Sequence, residues 1–223
     1  MSMKSVVFTA VAATLVSTAA HAAPVTPFLD AANSAQGQSC EYDTATMMAD
    51  NCTAVAASRS NILSIDEGVA GFYSLGLGGT LSFDVSPMVF DNELFALEIT
   101  GGAPNPNFPE AARFEFSGPD GIEFIEVATF GDAVRSASGG VSVTRTLGSG
   151  SYSFNFDLNG LSFDSLTITD RTFGYFASTY DNRTSDGFDV GELVFDAVDV
   201  PAPGALGLLG LGLLALGARR TRS

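Results

Sequence analysis

Basic residues are scarce in this chain: ten Lys and Arg stand against 25 Asp and Glu in 223 residues, a formal net charge of −15. Phosphate contacts require clustered Lys and Arg, and the only such cluster lies in the last five residues, so nucleic acid is excluded as a partner. Tryptophan is absent, lysine occurs once at Lys4, histidine once at His21, and cysteine only at Cys40 and Cys52. Charged residues make up 16% and hydrophobic residues 46%, which is not the composition of a solvated, disordered polymer; a sizeable core can form.

The two ends are distinct from the middle. Lys4 precedes the apolar stretch Val6 to Val16, and Ala20-His21-Ala22 offers small-residue cleavage before Ala23, the layout of a secretory signal peptide over residues 1–22. Its removal takes away the only lysine and the only histidine. From Ala23 to Asp199 there remain 25 acids and six arginines (Arg59, Arg113, Arg135, Arg145, Arg171 and Arg183), a net charge of −19. At the other end, Val200 to Ala218 is free of charge and rich in Leu, Gly and Ala, and Arg219, Arg220 and Arg222 follow directly. Nineteen helical residues would span roughly 28 Å, enough for a hydrocarbon core, although Pro201 and Pro203 confine the helix to the part after Pro203. No polar face interrupts Gly204 to Ala218, so a transmembrane helix is expected, with the arginines on the cytoplasmic side. The letters Gly210 to Ala215 fit a dinucleotide fingerprint, but no βαβ unit surrounds them.

Val200-Pro201-Ala202-Pro203, then an apolar helix, then an arginine cluster, resembles the PEP-CTERM protein-sorting signal of Gram-negative bacteria over residues 200–223. The resemblance implies a membrane-embedded, exosortase-like sorting enzyme as partner, and a location in the cell envelope, at the surface or outside the cell, associated with exopolysaccharide and biofilm. Ala202 stands where the family usually has Glu.

Between the ends, Cys40 and Cys52 fall in an N-terminal segment, residues 23–60, whose Ala, Ser, Asn and Gln give little core of their own. Export to an oxidising compartment makes a disulfide between them the expectation, closing a short loop. From residue 61 to 199 the chain turns to short runs of β-branched and aromatic residues, with apolar side chains at alternate positions. Leu81, Phe83 and Val85 alternate with polar neighbours, as do Phe114 and Phe116, and Tyr152, Phe154, Phe156 and Leu158. Further strands are expected over Gly71–Leu77, Leu94–Thr100, Ile122–Thr129, Val141–Leu147, Ser165–Thr169, Thr172–Ser178 and Glu192–Val198, with Asn159-Gly160 the strongest tight-hairpin signal. About ten strands without an amphipathic helix predict an all-β domain, an antiparallel β-sandwich or jelly roll. Most of the 18 phenylalanines are expected to fill its core. Several stretches also resemble exported domains found ahead of PEP-CTERM tails: Phe72 to Leu81 with its Ser-Leu-Gly-Leu-Gly-Gly, Phe95 to Thr100, and Leu166 to Asp170 with Asp186-Gly187-Phe188-Asp189. That resemblance implies a jelly-roll surface domain.

Without histidine or lysine the exported part cannot build a Ser-His-Asp or Ser-Lys centre, a His-ligated metal site or a Schiff base. Glu123, Glu126, Asp157 and Asp164 suit the two-carboxylate chemistry of a glycosidase, but among 25 acids no spacing singles out a pair; no catalytic residue is assigned and the chain is expected not to be an enzyme. Calcium is a better use of these oxygens. The densest cluster runs from Asp181 to Glu192, with Asp181, Asp186, Asp189 and Glu192 as candidate ligands, but the EF-hand pattern fails because Leu193 occupies the position of the bidentate Glu. Asn61, Asp66 and Glu67 form a weaker cluster. A carbohydrate-binding patch is the alternative, with Tyr175, Tyr180, Asn182 and Arg183 as candidate ligand-binding residues and exopolysaccharide as its partner.

Overall fold

The computed structural model describes residues 28–43, 45–46, 48–61, 71–85, 90–99, 108–119, 121–161, 163–180 and 183–197. The expected signal peptide (1–22) and the expected tail segment with a transmembrane helix (200–223) lie outside them. No helix among the described residues is long and apolar enough to cross a membrane.

Fourteen strands account for most of the described chain, all paired antiparallel. In chain order they are β1 (Phe28–Leu29), β2 (Gln38–Asp43), β3 (Met48–Ala54), β4 (Tyr73–Ser74), β5 (Thr80–Asp84), β6 (Phe90–Ile99), β7 (Ala111–Gly118), β8 (Gly121–Ala128), β9 (Val134–Ser138), β10 (Ser142–Leu147), β11 (Ser151–Asp157), β12 (Ser165–Asp170), β13 (Thr184–Ser185) and β14 (Asp189–Ala197). A six-stranded sheet runs β1-β5-β12-β7-β8-β9, a five-stranded sheet β10-β11-β6-β14-β4, and a small sheet β13-β2-β3. None of the three closes into a barrel.

The period-two alternation explains why the two larger sheets share one core. On β7, Phe114 and Phe116 are fully buried while Arg113 and Glu115 lie on the other face; on β11, Phe154 and Phe156 are buried while Asn155 and Asp157 are exposed. Phe114 of the six-stranded sheet meets Phe156 of the five-stranded sheet at 4.6 Å between ring centroids, and Phe188 packs edge-on to Phe114. Each such ring contributes about 1.5–3 kcal/mol by leaving water. Leu81, Phe83, Val85, Leu166, Ile168 and Leu193 complete this core from both sides.

Two expectations are corrected. Thr172–Ser178 is not a strand: Thr172–Phe176 forms a short helix, α1, and Ala177–Tyr180 a 3-10 turn. Its buried residues, Thr172, Phe176 and Tyr180, recur every fourth position, so the helical period and not the strand period seats them. Phe176 and Tyr180 build a second, smaller core with Tyr42 of β2 and Ala111 and Ala128 at the ends of β7 and β8. Asn159-Gly160 is a turn, with both residues at positive φ (49° and 77°), but it is not a hairpin. It carries the chain from β11 in one sheet to β12 in the other. The tight hairpin is instead β7–β8, where Gly118 pairs with Gly121.

The N-terminal segment is more ordered than its composition indicates. The disulfide between Cys40 and Cys52 joins β2 to β3, and Cys40 and Tyr42 are buried while all of β3 is exposed.

Candidate functional site

Two polar constellations stand apart from the apolar cores. The first lies where the three sequence patterns meet. Gly37, Gly76, Gly79 and Gly187 bring three stretches of backbone together so closely that a Cβ on Gly76 or Gly187 would intrude on the facing backbone; Gly187 would meet Gly76 C at 2.8 Å and Asp170 Oδ1 at 2.9 Å. Gly76 and Gly187 also sit at φ 74° and 78°, where only glycine is unstrained. Into this crossing β12 sends Asp170, which is 5% exposed. Its Oδ1 accepts from the Thr172 hydroxyl (2.7 Å), the Thr172 N–H (3.3 Å) and the Phe188 N–H (3.0 Å), and its Oδ2 from the Gly78 N–H (3.1 Å). One carboxylate thus ties Ser-Leu-Gly-Leu-Gly-Gly to the Asp-Gly-Phe-Asp stretch. Burial pushes the Asp170 carboxyl up, and its four donors pull it back only in part.

Beside it sit two of the candidate calcium ligands. Asp186 is ion-paired to Arg59, and the Ser74 hydroxyl donates to Asp189. Burial opposes the Arg59 charge, but the neighbouring Asp186 carboxylate outweighs it and holds the guanidinium above its ordinary value. An arginine already compensates Asp186. Glu192 lies farther along β14, opposite Leu97, and Asp181, like Asp66 and Glu67 of the weaker cluster, falls outside the described residues. Among the described residues no group of three or more His, Cys, Asp or Glu side chains is placed to hold a metal ion.

The second constellation covers the end of the six-stranded sheet and α1. Pairing of β7 with β8 sets Arg113 opposite Glu126 on the outer face, with Glu115 opposite Phe124 in the next row. Glu126 is almost buried, and three groups converge on it: the Tyr175 hydroxyl donates to Oε2, Arg171 Nε lies 3.2 Å from Oε1, and Arg113 Nη1 lies 3.9 Å from the same oxygen. Arg113 also pairs with Glu115 at 2.8 Å and stacks 3.7 Å over the Phe124 ring. Arg135 lies over the rings of Tyr175 (5.7 Å) and Phe176 (5.0 Å) and donates to the Phe130 carbonyl at 2.6 Å. Arg145, from the other sheet, donates to the Ala128 and Gly131 carbonyls of the same loop. Desolvation, reinforced by the Glu126 carboxylate, raises the Tyr175 phenol above its ordinary value.

The candidate sugar-binding residues therefore separate. Tyr175 is 38% exposed, whereas Tyr180 is fully buried and donates its hydroxyl to the Pro109 carbonyl at 2.7 Å, so its ring offers no face to a ligand. Burial, then the nearby Glu110, raises the Tyr180 phenol strongly. Arg183 is exposed above the Phe108 ring, 6.0 Å away, and Asn182 lies outside the described residues. The glycosidase carboxylates do not pair either: Glu123 and Glu126 are three residues apart on β8 and point to opposite faces. Glu123 accepts from the Gly140 N–H at 3.2 Å and Asp157 from the Asn159 N–H at 2.9 Å. Asp164 lines a polar groove of about 430 Å³ with Asp30, Asn33, Asp84 and Thr167. No local sequence pattern marks the arginine cluster, because its members come from β7, β9, β10 and the residue before α1 and meet only through long-range pairing.

Comparison with known proteins adds one finding, and it concerns the tail. Residues 199–222 match the PEP-CTERM protein-sorting motif. This is the motif of exported proteins sorted by an exosortase-type enzyme at the cell envelope. No curated protein and no solved structure matches the chain at a significant level.

Proposed function

We propose that the protein is a non-enzymatic β-domain displayed at the cell envelope, where it has a structural or adhesive role in an exopolysaccharide-rich matrix. The observation that carries this reading is the sorting motif at residues 199–222, placed directly behind a folded antiparallel domain. The disulfide and the residue inventory agree with it. A Cys40–Cys52 bridge suits an oxidising compartment, and an exported segment without histidine or lysine lacks the usual general bases and amine nucleophiles. A jelly-roll ancestry fits the two facing sheets and the crossover at Asn159-Gly160. The reading is tested by fractionating cells that express the full chain. Recovery in the envelope or the extracellular matrix, with loss from the matrix when residues 199–223 are deleted, is expected. Retention in the cytoplasm overturns it.

A glycan-binding module is the second reading, favoured by the exposed Tyr175 ring beside Arg135 and Arg171.

A further inference from the structure

The exported segment has only six arginines against 25 acids, yet four of them, Arg113, Arg135, Arg145 and Arg171, form one continuous cluster linked through Tyr175, Glu126 and the 128–131 loop. With Glu115, Glu126 and the exposed Asp132 of the adjoining turn as its acids, this patch carries a net charge of +1 on a surface that is otherwise strongly negative. Buried ion pairing does not consume it. Arg171 is 47% exposed and engages Glu126 only through Nε, so among the described residues its Nη1 and Nη2 fork has no protein partner. The α1 face that looks outward consists of Arg171, Gly174 and Tyr175, at the i, i+3, i+4 spacing of one helical stripe. Phe130 adds a ring that is 48% exposed.

We propose that this patch binds the carboxylate groups of an acidic, uronate-containing polysaccharide. A guanidinium fork matches a carboxylate in two parallel hydrogen bonds, and the C–H faces of a sugar ring pack on exposed aromatic rings; uronate chains present both at each residue. The net charge of −19 opposes the approach of any polyanion, so binding here depends on the local fork and ring contacts, which a sugar chain offers and a plane of lipid phosphates does not. The proposal rests on the preceding reading only for the source of the glycan.

Gly174 gives a test that spares the packing. A Cβ there meets nothing within 4 Å, so a side chain can be added to the middle of the patch. Full-length protein is titrated with polygalacturonate and with neutral dextran. Binding of polygalacturonate alone, reversed at about 1 M salt where charges are screened beyond about 3 Å, is expected. Gly174→Glu should weaken it at least tenfold, Gly174→Gln should leave it within threefold, and neither should lower the melting temperature. An Arg171→Gln variant should weaken it as Gly174→Glu does. The proposal is overturned if polygalacturonate does not bind, if dextran binds equally, or if Gly174→Glu binds as well as wild type. Self-association or vesicle binding that Gly174→Glu abolishes, without polygalacturonate binding, also overturns it and assigns the patch to a second copy or a membrane. Cytoplasmic retention in the fractionation would sink the envelope reading while leaving this binding result standing.

Discussion

Removing the Asp170 carboxylate should unfold the domain more readily than any other single polar truncation in the crossing. Asp170→Ala leaves the N–H groups of Thr172 and Phe188 buried without their acceptor, frees the exposed Gly78 N–H, and leaves the Thr172 hydroxyl without one of its two partners. A buried donor left unsatisfied costs about 1–3 kcal/mol, so two of them give about 2 kcal/mol even at the low end, or a fall in Tm of about 6 °C for a domain of this size. Asp170→Asn keeps the shape and one acceptor oxygen but turns an NH2 toward a donor, and should lose about half as much. The pH dependence has a definite sign. Because burial raises the folded carboxyl above 3.8, the native state binds more protons than the unfolded state between that value and the raised one, and the Asp170 contribution to stability falls as pH rises through that window. Asp170→Asn should remove this slope. Urea unfolding of the oxidised full chain at several pH values, followed by far-UV circular dichroism, measures both. A loss below 1 kcal/mol for Asp170→Ala would refute the idea that this carboxylate joins the three segments.

Gly79→Ala should destabilise severely, because its Cβ would overlap the Leu75 carbonyl oxygen, whereas Gly78→Ala, in open space at φ 71°, should cost only about 1 kcal/mol; paired melting curves separate steric from conformational demand. Replacing both Cys40 and Cys52 by Ala should cost about 3 kcal/mol by the loop-closure estimate and raise hydrogen exchange in β2 and β3 ahead of the two large sheets; uniform exchange would contradict a locally acting disulfide.

The strands that were legible in the sequence are those with one wet and one dry face. Alternation around Phe83, Phe114, Phe116, Phe154 and Phe156 gave β5, β7 and β11 because each contributes its apolar side to a single core. β3 is exposed along its whole length, so it has no alternation to read, and its place is fixed by the disulfide and by pairing to β2. The Thr172–Phe176 stretch carries β-forming residues, but contacts of Thr172 with Asp170 and Ala111 bend it into a helix, a tertiary effect that no local pattern announces. The Gly-rich, Asp-Gly-Phe-Asp and Ile-Thr-Asp stretches were visible as separate short patterns; that they meet at one carboxylate depends on long-range register. The same holds for the arginine patch, whose members are 22 to 58 residues from Arg113 in the chain.

The central claim, export and sorting through the C-terminal motif, is tested most directly by the intact mass of the protein recovered from envelope and secreted fractions. The account predicts a mass that lacks residues 1–22 and ends near Pro201 to Pro203, showing that the tail is processed even with Ala202 in place of the usual Glu. A mass that retains Arg219 to Ser223 in every fraction would contradict it, leaving an uncleaved anchor and no part for a sorting enzyme.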